Sequence, residues 1–162
     1  MKIAIISDLH DNISNLHRFF QAIAKEKIEK IISCGDLGNQ DTLKTLIKNF
    51  NKEIFIISGN ADIYNFSDLE NYKHINNLGR SSSFNLGKFK IAVCHEPIFI
   101  KSLLKENPDL DFIFYGHTHK PWISKKNKTI LINPGTLGGL FYRPSFAIWD
   151  SENGKANLKL IH

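Results

Sequence analysis

The sequence predicts an α/β fold: a mainly parallel sheet built by the first half of the chain, joined to a second, more antiparallel sheet built by the second half. Three observations carry this reading. Apolar runs at 3–6, 31–32 and 54–57 each end in a polar loop and alternate with stretches of helical spacing, as strands linked by helical crossovers do. From residue 81 the apolar period shortens and glycines separate the runs, as in hairpins. The 162 residues are 42% apolar, enough for one compact domain, 1–162, with a core that needs no disulfide staples.

Taken in order, residues 2–7 form an almost continuous apolar run, as expected of a strand buried on both faces. After the polar turn 8–12, Leu16, Phe19, Phe20, Ile23 and Ala24 return at helical spacing, with Asn12 or Ser14 as the cap, and the charged segment 25–30 ends that helix. A strand over 29–33 leads into Gly35-Asp36-Leu37-Gly38, and a helix over 40–49 turns Leu43, Leu46 and Ile47 inward. A third strand, 53–57, runs into Ser58-Gly59-Asn60. The stretch 65–80 is polar, lacks a sustained period, and is expected to be a surface excursion with a short turn or strand that walls a cleft. Residues 83–86 and 89–94 predict a hairpin about Gly87, 97–105 a short helix, and 109–115 a buried strand. A hairpin over 121–132 and a closing antiparallel pair, 145–149 with 156–161, complete the expected second sheet. No repeat, low-complexity tract or linker divides the chain.

The formal charge of +5 comes from lysine, since the only arginines are Arg18, Arg80 and Arg143. Nucleic-acid surfaces favour arginine forks, so dedicated nucleic-acid binding is disfavoured while anionic partners remain compatible. Cys34 and Cys94 are too few for a disulfide scaffold and form no CxxC pair, so they are expected to be small buried thiols. The apolar start is too short for a signal-peptide core and no run approaches a membrane span, which makes the cytoplasm the expected compartment.

Polar groups collect where the apolar strands give out: Asp8 and His10, Asp36, Asn60, His95, and the pair His117 and His119. Parallel strands would bring such loops to one carboxyl edge. Asp8 and His10 are expected to alternate on an extended segment, with Leu9 between them pointing into protein, and His117, Thr118 and His119 to follow the same logic. Two divalent cations about 3.5–4 Å apart need a short anionic bridge, and Asp36, flanked by Gly35 and then Leu37-Gly38, suits that place. Two carboxylates against two dications leave a positive centre fit for a phosphate oxyanion. Mixed oxygen and imidazole donors favour manganese, iron, zinc or nickel over calcium or magnesium alone. A lone histidine is usually structural or exposed, and His17, His74 and His162 are read so.

In this order, Asp8-Leu9-His10, Gly35-Asp36, Gly59-Asn60, His95 and Gly116-His117-Thr118-His119 resemble the motifs of the calcineurin-like metallophosphoesterase superfamily, especially its small single-domain phosphodiesterase branch. The resemblance covers residues 1 to about 150. It implies a four-layer α/β/β/α sandwich of two mixed sheets flanked by helices. It implies one metal held by Asp8, His10, Asp36 and His119, and another by Asp36, Asn60, His95 and His117, with manganese the expected ion. It further implies hydrolysis of a small phosphodiester by a metal-bridging hydroxide. Alternatives on the same fold are a protein-binding scaffold and a cyclic-nucleotide phosphodiesterase or nuclease; retention of all seven positions argues against scaffolding as the sole role. A dinucleotide-binding fold is disfavoured, because the first strand leads into Asp8-Leu9-His10 and not a glycine-rich turn.

The chain departs from the broader family at Ala61-Asp62, where many members carry a histidine after the asparagine; Gly-Asn-x-Asp fits the small branch. Without that histidine, substrates with low-pKa leaving groups are expected to react best. Asp62 is expected to orient a ligand histidine or hold a water. Glu96, in place of the common glycine, would crowd or charge the rim. Asn133 and Thr136 lie in a segment resembling the family's asparagine-proline-glycine-hydroxyl element, read either as a strand-ending turn or as support for the site. Arg143 reads either as a substrate-phosphate contact or as a structural ion pair, and Asn12 and Gly38 as rim positions. The stripe 137–142 belongs either to the core or to a homo-oligomer face.

Overall fold

The strand β1 (Lys2–Ile6) sends Ala4 and Ile6 to one side and Ile3 and Ile5 to the other, and all four are fully buried. That two-sided burial places it mid-sheet. The computed structural model, which describes residues 1–65, 67 and 72–161, puts β1 between a parallel neighbour, β2 (Ile28–Ser33), and an antiparallel one, β10 (Ser145–Asp150). Outward from β2 come β3 (Glu53–Ile56) and β4 (Ile75–Asn77), both parallel, and outward from β10 comes β11 (Ala156–Leu160), antiparallel. The second sheet runs β5 (Ser81–Leu86), β6 (Phe89–Cys94), β7 (Phe112–Phe114), β9 (Thr129–Asn133), β8 (Trp122–Lys126). Its inner pairs, β6 with β7 and β7 with β9, are parallel, and its outer pairs antiparallel.

The two helical crossovers form for legible reasons. The helix α1 (Ile13–Ile23) starts where the Asn12 side chain accepts the Asn15 N–H, a cap worth about 1 kcal/mol, and buries Leu16, Phe19 and Ile23. The helix α2 (Gln40–Asn49) starts on Asn39, which accepts from Asp41 and Thr42, and buries Leu43, Leu46 and Ile47. Each such side chain contributes about 1.5–3 kcal/mol by leaving water.

These faces pack against Ala4, Ile6, Ile31, Ile54 and Ile56 in one cluster. The opposite sheet face, Ile3, Ile5, Ile32 and Trp149, meets Ile91, Val93, Phe112 and Phe114 of the second sheet. Beyond that sheet, Ala92, Cys94 and Ile113 pack on Ile100 and Leu103 of α3 (Ile100–Glu106). Helix, sheet, sheet and helix therefore form four layers, as the resemblance implies.

One expectation is corrected. The closing pair, β10 and β11, joins the first sheet, because the alternation of Phe146 and Ile148 against Ala147 and Trp149 lets β10 fill both of that sheet's cores. The second sheet is mixed, as the resemblance implies, since the segments between β6, β7 and β9 return each strand in the same direction. Within 65–80, Ile75–Asn77 is a short strand at the edge of the first sheet; residues 66 and 68–71 of that expected excursion, and His162, lie outside the described residues. Both cysteines are free and fully buried, as expected. Burial pushes the Cys94 thiol up to about 12 and holds the Cys34 thiol well above its ordinary value. Among the described residues no helix is long and apolar enough to cross a membrane.

Candidate metal centre

The loops that carry the seven candidates leave the carboxyl ends of parallel strands in both sheets: β1, β2 and β3 in the first, β6 and β7 in the second. Backbone bonds lock these loops together. The N–H groups of Asp8, Leu9, His10 and Asp11 reach the carbonyls of Gly35, Asp36, Asp36 and Leu37, and those of Leu137 and Gly138 reach Ser7 and Asp8 across the sheets. The approach is close enough to require glycine at two points. A Cβ on Gly59 would stand 2.0 Å from Asp36 Oδ1 and 2.4 Å from the Asp36 amide, and one on Gly116 1.9 Å from Ser7 Oγ.

The expected extended clamp is not what sets Asp8 beside His10. Asp8 (φ 53°), His10 (φ 47°), Asp36 (φ 54°), His117 (φ 68°) and His119 (φ 59°) are all left-handed, a conformation uncommon outside glycine. Leu9 is nonetheless fully buried in the core, as expected. The left-handed turns at Asp8, His10 and Asp36 are held by the backbone bonds above, and such turns swing side chains inward that a plain strand would splay to opposite faces.

The polar atoms that result face one another. His95 Nε2 lies 3.2 Å from Asp36 Oδ2 and 3.1 Å from Asn60 Oδ1, and His117 Nδ1 lies 2.9 Å from Asn60 Oδ1. His119 Nε2 lies 3.2 Å from Asp8 Oδ1 and 3.4 Å from His10 Nε2, while His10 Nε2 stands 3.7 Å from Asp36 Oδ2. Asp8 belongs both to a group with His10 and His119 and to a group with Asp36 and His95, each tight enough to share one ion.

The ring tautomers decide what such an arrangement wants. A carbonyl only accepts, so His95 Nδ1, 2.7 Å from Cys34 O, and His119 Nδ1, 3.2 Å from Leu140 O, carry the protons. In the neutral rings both Nε2 atoms are then lone pairs aimed at carboxylate oxygens. Two acceptors so placed need a proton or a cation between them, and backbone-oriented imidazoles beside carboxylates are suited to divalent transition metals.

The electrostatics agree. Burial pushes the Asp8 carboxyl up, aided by the charge of Asp36 and opposed by Ser7 and the two histidines. Burial would also raise Asp36, but its bond to His95, the Ala61 N–H and the charges of His95 and His10 outweigh that and hold it low. Burial works against a charged His95, yet the bond to Asp36 and the charges of Asp36 and Asp8 raise it. A raised histidine stabilises the metal-free fold fully below its unfolded value, and that contribution is lost as pH climbs through the raised value. A metal needs the same lone pair and loses its competitor over the same range. Manganese is therefore expected to raise the melting temperature more at pH 8 than at pH 6, as differential scanning fluorimetry with and without the ion would read. An equal increment at both ends would sink this.

Asp62 touches no ligand histidine: it accepts the N–H groups of Asp36 (3.1 Å), Gly38 (3.0 Å) and Gly59 (2.7 Å), tying two candidate loops together, because the turn after Asn60 folds its carboxylate back under them. Glu96 sits on Arg80 (3.3 Å), so its charge at the rim is paired. Asn133 is buried and donates to Gly116 O and Thr118 Oγ1, and Thr136 donates to Asp8 O, so both brace the candidate loops. Asn12 caps α1 and donates to Gly138 O, and Arg143 is exposed. Leu137 is core, whereas Leu140, Phe141 and Tyr142 are exposed. Sequence reasoning missed Asp11, which accepts from Asn39 N–H and Thr42 Oγ1, and Asn15, which donates to Leu137 O and Gly138 O. A polar run longer than two ligands require was the available signal for Asp11.

Residues 1–154 match the family model described as the calcineurin-like phosphoesterase superfamily domain. The chain belongs to the calcineurin-like phosphoesterase superfamily. It is 30% identical over 158 residues to phosphodiesterase MJ0936 of Methanocaldococcus jannaschii, covering 94% of each protein. Its fold is similar to that of a structurally and functionally characterised archaeal phosphodiesterase, with a TM-score of 0.86, 25% identity and 99% of each chain covered. Vacuolar protein sorting 29 from Cryptosporidium parvum is also similar, with a TM-score of 0.69 and 25% identity over 98% of this chain and 95% of that one. The superfamily is one of phosphoesterases, and the Asp and His groups above are where this member has residues able to hold a metal.

Proposed function

We propose that this chain is a phosphodiesterase that acts on a small phosphodiester in one domain, 1–162, with a two-metal centre. The observation that carries the reading is the pair of backbone-fixed imidazoles, His95 and His119, whose Nε2 atoms face Asp36 and Asp8. Asp8, His10, Asp36 and His119 would hold one divalent cation, and Asp36, Asn60, His95 and His117 the other, manganese being the first to test and zinc, iron and nickel the others. Bound there, the cations supply Lewis acidity that activates water and offsets charge on the phosphoryl oxygens.

The chain's own residues set the rest. Oxygen from water, which gives one proton to solvent, forms a bond to phosphorus as the ester bond opposite breaks, and the departing oxygen takes a proton from solvent, since Ala61 offers none. Asn133 and Thr136 keep the histidine loop and the Asp8 loop in register during that step. The buried Cys34 and Cys94 thiols suit a reducing, cytoplasmic setting.

The test is hydrolysis of bis(4-nitrophenyl) phosphate by manganese-loaded protein, run beside 4-nitrophenyl phosphate. Turnover of the diester above the monoester, lost on chelation, is the expected result. Folded protein inert with manganese, zinc, iron and nickel alike would overturn the reading. The similarity to vacuolar protein sorting 29 and the exposed Leu140, Phe141 and Tyr142 would then favour a protein-binding scaffold.

A further inference from the structure

Phe141 combines three properties that packing does not explain. It is 90% exposed, it holds a left-handed backbone at φ 64°, which is an outlier for a bulky side chain, and its ring lies 5.3 Å from the His119 ring. An unconstrained loop would relax both the strain and the exposure.

This loop is constrained from both sides up to the residue before it. Leu137 N–H and Gly138 N–H bond to Ser7 and Asp8, Asn12 and Asn15 donate to Gly138 O, and Thr136 Oγ1 accepts from Gly139 and Leu140. The Leu140 carbonyl then takes the His119 Nδ1–H. The same bond that fixes the imidazole's tautomer thus fixes the peptide that presents Phe141. An aromatic face is held ready beside the candidate centre, and its ordering cost is met before any ligand arrives.

We propose that Phe141 is a specificity-determining platform that stacks on a planar aromatic group of the substrate, so that the site selects phosphodiesters carrying an aryl or nucleobase group. The inference rests on the phosphodiesterase reading for the position of the phosphoryl group. Stacking on an aromatic face is sequence-tolerant and roughly isotropic about the ring, so it selects aromatic over aliphatic esters without choosing among bases. Because Phe141 is exposed, removing its side chain leaves the core intact.

The test compares binding of phenylphosphonate and methylphosphonate to zinc-loaded protein by calorimetry, in wild type, Phe141→Ala and Phe141→Leu. Wild type is expected to favour the aryl ligand by about tenfold. Phe141→Ala should abolish that preference while leaving methylphosphonate affinity unchanged, and Phe141→Leu, which keeps apolar bulk and loses the ring, should fall closer to Ala. An aryl preference that survives in Phe141→Ala, or its absence in wild type, overturns the platform. Neither outcome depends on turnover, so failure of bis(4-nitrophenyl) phosphate hydrolysis would sink the phosphodiesterase reading separately. A third result, weaker binding of both phosphonates in Phe141→Ala, would mean that Phe141 acts through His119 and would also overturn the proposal.

Discussion

Asp36→Asn is expected to cut phosphodiester hydrolysis by about a thousandfold while leaving the fold in place. The substitution keeps an oxygen that can accept the Ala61 N–H, now made at 2.8 Å, so the backbone link between the two loops survives. What is lost is the charge facing His95 at 3.2 Å and His10 at 3.7 Å, one histidine from each of the two proposed ligand sets. Removing a shared anion costs several kcal/mol of charge stabilisation, and about 4 kcal/mol corresponds to three decades in rate. Two further readouts separate this from simple damage. Metal bound per chain, measured by elemental analysis after desalting, should fall, and the melting temperature of the metal-free variant should stay within a few degrees of wild type. The second expectation follows from Asp8, whose raised pKa reflects burial first and also the Asp36 charge that the variant removes. A variant that binds and turns over as wild type does would remove Asp36 from the centre.

The residues that specify this site were legible in the sequence as types at strand ends, and their geometry was not. Apolar runs such as 3–6 declare strands buried on both faces, and Asp8 and Asp36 follow such runs, so their convergence on the carboxyl edge of the first sheet follows from parallel topology, while His95 comes to them from the second sheet. The left-handed turns at Asp8, His10, His117 and His119 leave no such trace, because aspartate and histidine tolerate that region without the glycine that usually marks it. The pairing of β10 with β1 was hidden for a different reason. A strand alternating Phe146 and Ile148 with Ala147 and Trp149 fits the interior of either sheet, and only long-range packing chooses between them. Phe141 could be read only as apolar, since its exposure and strain depend on bonds from Thr136 and His119 that no local pattern encodes.

Asp62 is the residue whose role changes most, and its replacement carries the second large effect. A carboxylate at this position, two residues after Asn60, invites the reading of an imidazole anchor or a holder of water. Its oxygens instead take three backbone N–H groups, from Asp36, Gly38 and Gly59, and the neighbouring Tyr64 phenol, pushed up first by burial, is held higher still by the Asp62 charge. Asp62→Ala strands those three donors, and at about 1 kcal/mol or more for each charge-assisted bond the loss should reach about 3–5 kcal/mol. For a chain of this size that is a fall in melting temperature of roughly 6–15 °C. Activity should fall with it, because the strap that seats Asp36 against Gly59 also sets the Asp36 oxygens. The leaving group distinguishes a strap from an acid. If Asp62 donated a proton, Asp62→Asn would lose far more rate on an alkyl ester than on a nitrophenyl ester, whose leaving group needs no proton. As a strap it should slow both esters by the same factor at a temperature where the variant is folded. Asn at this position keeps one acceptor and turns an NH₂ group toward the backbone donors, so its melting temperature is expected between those of wild type and Asp62→Ala. A selective loss on the alkyl ester, with stability unchanged, would make Asp62 a general acid and remove the strap.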